Sequence, residues 1–333
     1  MYKIVALVLS VFLFIPNQFF LEEKTSKIEC FSYLLKDKDV SLEQVLTETD
    51  DFLYNNCSEY NFGINTQVVW VKIDTQDISS YTNPLLVLNS ASLDYVYLYP
   101  VKAGNAGREL VSGRLKGIEN RFLKSHKIVF QLTELEREAD FLLLKIENTD
   151  KKIFTGFLTE DVDFKSIIDF ENILFGLLTG VFVGLFFYNL FLYFSVRDKI
   201  YLVYVLHTLL VWLAQASILG FTQVLFWPDW DWMNSRSIVI FSSLVSIVGI
   251  WFLRIFLLTK HYVPKLDVGF NYIYAVYLFI LSNAVIFSTT LSYQVILVTQ
   301  AIVVLYVLFV AWATLRLGYR PARYYLVAWS VFM

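Results

Sequence analysis

Two hydrophobic rhythms divide this chain. Between residues 28 and 165, short runs rich in β-branched and aromatic residues end repeatedly in turn residues, the pattern of strands. The runs cover 67–75, 85–89, 93–99, 109–112, 128–132, 141–147 and 153–158, with a plain turn signal at 102–107. Ser41 followed by Gln44 predicts a capped short helix through Thr47. With no helices alternating between the strands, the pattern predicts an antiparallel sandwich or jelly roll.

After residue 172 the rhythm changes to long apolar runs at 173–194, 201–221, 237–258, 268–287 and 293–315. Each reaches about 20 residues, which at about 1.5 Å per residue crosses roughly 30 Å of hydrocarbon. A sixth run opens at Tyr324 and stops at Met333, too short to cross, so the sequence is expected to be part of a longer chain. The fold class expected is therefore multi-domain: an exported all-β jelly-roll or sandwich domain, then an α-helical transmembrane bundle. The bundle has five complete helices and part of a sixth, with seven expected. Domain boundaries are expected at 28–165 and 172–333, preceded by residues 1–21. There Lys3 and the apolar run 4–15 form a signal peptide or, since Phe19, Phe20 and Leu21 replace small residues, an uncleaved anchor.

Charge sharpens the division. The first 171 residues hold 44 of the 57 charged side chains, and no glutamate follows Glu171. The front part is acidic, which argues against nucleic acid as a partner. With the β domain outside, inner loops carry Arg197, Lys199, Lys260, Lys265, Arg316, Arg320 and Arg323, whereas outer loops carry only Arg236. That is a positive-inside distribution, and Trp227, Trp230 and Trp232 fall where an outer aromatic belt belongs.

Several stretches resemble a known family, the bacterial seven-transmembrane receptors with diverse intracellular signalling modules (7TM-DISM). In the membrane part these are Tyr188-Asn189-Leu190-Phe191-Leu192, Arg197-Asp198, Tyr201-Leu202-Val203-Tyr204, Gly220, Leu225-Phe226-Trp227-Pro228, Phe252-Leu253-Arg254 and Pro264. The most distinctive stretch is Gly318-Tyr319-Arg320-Pro321-Ala322-Arg323-Tyr324-Tyr325, followed by Ala328-Trp329. In the outer part they are Val69-Trp70-Val71, Leu93-Asp94-Tyr95-Val96-Tyr97-Leu98-Tyr99, Arg121 and Leu144-Lys145-Ile146. The resemblance implies a jelly-roll sensor for carbohydrate or a similar small ligand, seven helices, a bacterial inner-membrane location and a cytoplasmic output such as a histidine kinase, cyclase or phosphatase.

Candidate chemistry is sparse. Tyr95, Tyr97 and Tyr99 share one strand face, opposite Val96 and Leu98. Their rings suit stacking on sugars, or packing under a loop or against a second sheet layer. Trp70 and Arg121 complete the candidate ligand site, Trp70 with a core alternative and Arg121 with a surface ion pair as alternative. Gly176, Gly180 and Gly184 form a small-residue ridge for packing within the bundle or for a homodimer. Arg254 is expected to snorkel to the inner headgroups, and His207 to pack neutral with Gln215 or Asn189 as partner. Asp229 and Asp231 are expected to be solvated. Cys30 and Cys57, both in an oxidising compartment, are left open as a disulfide.

No nucleotide-binding, metalloprotease or nucleophile-elbow motif occurs, and no metal or other cofactor is expected. The reading is a non-enzymatic receptor whose partners are the lipid bilayer and a small-molecule or carbohydrate ligand. A transporter or channel is the alternative from another class, and a membrane-embedded enzyme a third.

Overall fold

The computed structural model describes residues 26–28, 31–55, 59–75, 78, 81–287 and 289–330. The segment 1–21 expected to direct export, Cys30 and Cys57 all lie outside the described residues. Among the described residues two compact units form, one from 26–172 with 215–237 and the other from 173–214 with 238–330.

The first unit is built on strands β1 (Ser26–Lys27), β2 (Phe31–Lys36), β3 (Leu53–Asn55), β4 (Glu59–Asn61), β5 (Val68–Asp74) and β6 (Pro84–Leu88). It continues with β7 (Tyr95–Lys102), β8 (Asn105–Ala106), β9 (Leu110–Ser112), β10 (Ile128–Gln131), β11 (Phe141–Glu147) and β12 (Ile153–Glu160). One sheet runs β1-β12-β6-β10 with β4 also on β12; the other runs β3-β2-β5-β11-β7-β8 with β9 also on β7. Every pairing is antiparallel.

The register explains the alternation in the sequence. Leu144 lies opposite Val71 on one side and Leu98 on the other, and all three enter the core between the sheets. Leu86, Phe130 and Leu158 meet them from the facing sheet. The next residue along, Lys145, lies opposite Trp70 and Tyr97 on the outer face. A slip of one residue would exchange these faces, so burial of one of them pins the pairing. Strand β6 breaks the alternation because both its faces are covered. Leu86 and Leu88 point into the core, while Leu85 and Val87 pack with Phe164 and Ile167 of helix α3 (Asp161–Val196).

Helix α1 (Leu42–Thr47) covers part of the second sheet's outer face. Ser41 and Gln44 form the expected reciprocal cap, and Val45 packs with Leu34, Trp70, Tyr99 and Leu143. A second short helix, α2, spans Glu134–Arg137.

The other unit is helical. Its apolar helices are α3 from residue 173 onward, α4 (Lys199–Ile218), α6 (Asp231–Phe256) from 238 onward, α9 (Gly269–Ile286) and α10 (Thr289–Arg316). Five candidate spans are long and apolar enough to cross a membrane among the described residues. Short turns α7 (Thr259–Tyr262) and α8 (Pro264–Asp267) link the third and fourth, and α11 (Ala322–Ser330) follows the fifth. The second span is shorter than its apolar pattern suggests. It ends at Ile218, Gly220 takes φ +82°, and helix α5 (Phe221–Leu225) begins afresh in the first unit. A Cβ on Gly220 would stand 2.8 Å from that of Ala91 and 3.0 Å from the carbonyl oxygen of His126, so glycine alone fits there.

Candidate functional site

The outer face of β5, β11 and β7 holds four of the five candidate ligand residues in two different environments. Trp70 is 1% exposed and Tyr99 is 7% exposed, both roofed by the α1 segment. Tyr99 donates its phenol proton to Glu109 at 2.6 Å. These two rings therefore support the face from beneath and are closed to a ligand. Beyond the roof, Tyr95 and Tyr97 are half-buried and stack at 6.2 Å between centroids. Lys145 holds its ammonium 5.2 Å from the Tyr97 ring and 5.8 Å from the Trp70 ring, with Glu147 bonded to it at 2.6 Å.

The result is a polar-aromatic strip of two open phenols, one cation and one carboxylate. Burial raises the phenols of Tyr95 and Tyr97, helped by Asp231, Asp94 and Glu147 near Tyr95 and by Glu147 near Tyr97. At neutral pH both hydroxyls keep their protons and can donate. Lys145 was noted only within the Leu144-Lys145-Ile146 stretch and Glu147 not at all, although their period-2 spacing beside a tyrosine strand is the signal that finds them as site residues.

Arg121 stands elsewhere and does something different. It is buried, not a surface ion pair, and its hydrogen-bond partners are neutral. Nη1 donates to the Ser125 carbonyl at 3.0 Å, and Nη2 donates to the Gly113 carbonyl at 2.8 Å and to Gln223 Oε1 at 2.7 Å. Gln223 in turn donates Nε2 to the Arg114 carbonyl at 2.6 Å. Burial lowers the guanidinium to about 10, which still leaves it charged at neutral pH.

Arg114 extends the network: its Nε donates to Asp94 at 2.7 Å, and the other Asp94 oxygen accepts from the Thr149 amide and hydroxyl at 2.7 Å each. Gln223 lies on α5, so the connection between the second and third spans is held inside the β unit. Two more contacts fasten it. Phe221 stacks on His126 at 4.3 Å, and the Ile118 amide donates to the Pro228 carbonyl. His126 and Lys127 both engage Glu171, at 2.9 and 2.7 Å. Gln223 lies just past the apolar run 201–221 in the sequence, and nothing in its local pattern marks this role.

The remaining candidates fall in the helical unit, apart from Asp229 and Asp231, which are exposed. Gly176, Gly180 and Gly184 are exposed with no atom within 4 Å of their Cβ positions, so the ridge packs against no helix of the described chain. His207 packs against Gly249, while Asn189 donates to the Leu185 carbonyl of its own helix; neither completes the pairing expected for His207. Arg254 does not simply snorkel. It forms a two-pronged ion pair with Asp267 at 2.9 and 2.6 Å and donates to Asn271 at 3.1 Å.

An external antiparallel β unit joined to a multi-span helical unit defines a multi-pass membrane protein with an outward-facing domain. Residues 31–159 match the family described as 7TMR-DISM extracellular 2, and residues 171–333 match the family described as 7TM diverse intracellular signalling. No curated protein matches the chain. The chain belongs to the seven-transmembrane receptors with diverse intracellular signalling modules, carrying that family's extracellular domain followed by its membrane domain.

Proposed function

We propose that this chain is the sensing and membrane-spanning part of a bacterial inner-membrane receptor. Residues 28–165 form its sensor, residues 172–333 its membrane part, and residues 1–21 direct export or anchoring. The ligand is a small polar molecule, with carbohydrate as the first candidate. It lies on the strip of Tyr95, Tyr97, Lys145 and Glu147, where stacking and hydroxyl donation are available together.

The observation that carries the receptor reading is the Arg121–Gln223–Arg114 clamp. It makes the 215–237 connection part of the sensor fold, and helix α6 starts in that connection and continues as the third span. A ligand shifts a conformational population only by binding one arrangement better than another. A sensor that includes a piece of the bundle's own loop has the means to make that difference felt at a span. The output, whether kinase, cyclase or phosphatase, lies with the cytoplasmic module that the family attaches.

The test is thermal melting of the full chain in lipid nanodiscs against a panel of mono- and oligosaccharides. A stabilising sugar whose effect disappears in Tyr97→Ala and persists in the variant Tyr54→Ala, at an exposed ring on β3, supports the site. Cooperative melting that no sugar shifts sinks the carbohydrate reading.

A further inference from the structure

We propose that the cytosolic end of the third and fourth spans holds one anionic phospholipid of the inner leaflet. A cavity of about 1030 Å³ opens there between α6 and α9. The face it occupies is settled by the helix period. Gly249, Phe252 and Phe256 touch His207, Tyr204 and Tyr325 of the neighbouring helices. At about 100° per residue, Ile247, Trp251 and Ile255 point the opposite way and line the cavity from α6, and Leu258, just past the end of the helix, lines it too. The cavity therefore opens to hydrocarbon and away from the second and sixth helices. Trp251 is 48% exposed on this wall.

Its depth matches one leaflet. From Ile247 to Ile255 the wall rises about 12 Å at about 1.5 Å per residue, most of the roughly 15 Å that one leaflet contributes to the hydrocarbon. Tyr274 and Leu278 form the other wall. An acyl chain fits such a slot, whereas a free anion would leave the wall bare.

The rim supplies the sign. Arg254 is held by Asp267, which balances its charge. Lys260 and His261, both exposed, then leave the mouth with a cation and a ring donor at headgroup level. Basic pockets between spans on the cytosolic side suit phosphate headgroups of net negative charge.

The experiment is native mass spectrometry of the full chain, extracted from nanodiscs of phosphatidylcholine with and without phosphatidylglycerol. Wild type is expected to retain phosphatidylglycerol in preference to phosphatidylcholine. Lys260→Gln should lower that preference about fivefold, the weight of one basic side chain beside an anionic headgroup. Trp251→Ala should lower retention of both lipids, and 0.5 M salt should release only the anionic one from wild type, with no variant needed. Equal retention of the two lipids, or inorganic phosphate displacing phosphatidylglycerol at matched concentration, overturns the proposal. So does a Trp251→Cys variant that cross-links two copies through this face in lipid-replete membranes.

Discussion

Gln223 and Arg121 stand 102 residues apart in sequence and share a 2.7 Å hydrogen bond inside the β unit. The carboxamide serves both directions at once. Its oxygen accepts from the guanidinium, and its nitrogen donates to the Arg114 carbonyl at 2.6 Å. No hydrophobic side chain of similar size can do both. A buried guanidinium stays charged, so a donor that loses its partner there is left with the full cost of desolvation.

Gln223→Leu should therefore cost about 1–3 kcal/mol, because it strands a charged donor and a carbonyl in a dry site. Gln223→Glu should be milder at neutral pH, since its carboxylate pairs with Arg121 and offsets the bond to the Arg114 carbonyl, which becomes a contact between two acceptors. The pair is resolved by a double-mutant cycle with Arg121→Met read from melting of the purified chain. Additive single and double changes would show that the two residues are uncoupled, contrary to the geometry.

Gly113 is a second weak point of the same network. It takes φ +138°, its carbonyl accepts from Arg121, and a Cβ there would fall 2.3 Å from the Asp94 carbonyl oxygen. Gly113→Ala should destabilise by more than about 2 kcal/mol, since backbone strain and a shift of the Asp94–Arg114 pair act together. Gly104→Ala, with φ +75° but open space around it, is the control and should cost about 1 kcal/mol. Equal losses in the two variants would remove the steric part of the argument.

The glycine ridge of the first span gives the opposite expectation. No atom lies within 4 Å of the Cβ positions of Gly176, Gly180 or Gly184. Gly180→Leu should leave the melting temperature unchanged or raise it, since glycine costs a helix interior about 1 kcal/mol relative to better helix formers. A cooperative loss of folding in that variant would show that something packs on the ridge.

Most strands were legible because one face of each is buried. The runs expected at 67–75, 85–89, 128–132 and 141–147 appear as β5, β6, β10 and β11 within a residue or two. Strand β2, Phe31-Ser-Tyr-Leu-Leu-Lys, was missed because its alternation is short and blurred by adjacent leucines. The site was less legible, since ligand access depends on the roof. Tyr95, Tyr97 and Tyr99 alternate perfectly in sequence, yet burial with Val45 and a bond to Glu109 close the Tyr99 ring and leave the other two half-buried. Gln223 depended on a tertiary contact that no local pattern announces.

Lys152 allows a pH test on the β unit. It is buried, its Nζ donates to the carbonyl and side-chain oxygens of Asn65 at 2.5 and 3.2 Å, and burial lowers it to about 8 from 10.5. Because the folded value is the lower one, the unfolded chain binds more protons between those two pH values. Stability contributed by this group must therefore rise with pH across that window. The difference in stability between wild type and Lys152→Met should move in favour of wild type by about 1–3 kcal/mol from pH 7.5 to 10. A constant offset between the two melting curves over that range would contradict it.

Arg254 and Asp267 test the inner end of the helical unit. They sit at the cytosolic ends of consecutive spans, their side chains are 15% and 8% exposed, and Thr259 donates to the same carboxylate at 2.5 Å. Breaking such a pair leaves one charge stranded at the edge of the hydrocarbon, so Asp267→Ala should cost about 3–5 kcal/mol. Replacing both partners together, as in Arg254→Met with Asp267→Leu, removes the charges and should cost clearly less than the single change. Melting of the full chain in nanodiscs measures both. If the double variant is the less stable one, the pair contributes specific structure beyond mutual neutralisation, and the stranded-charge account fails.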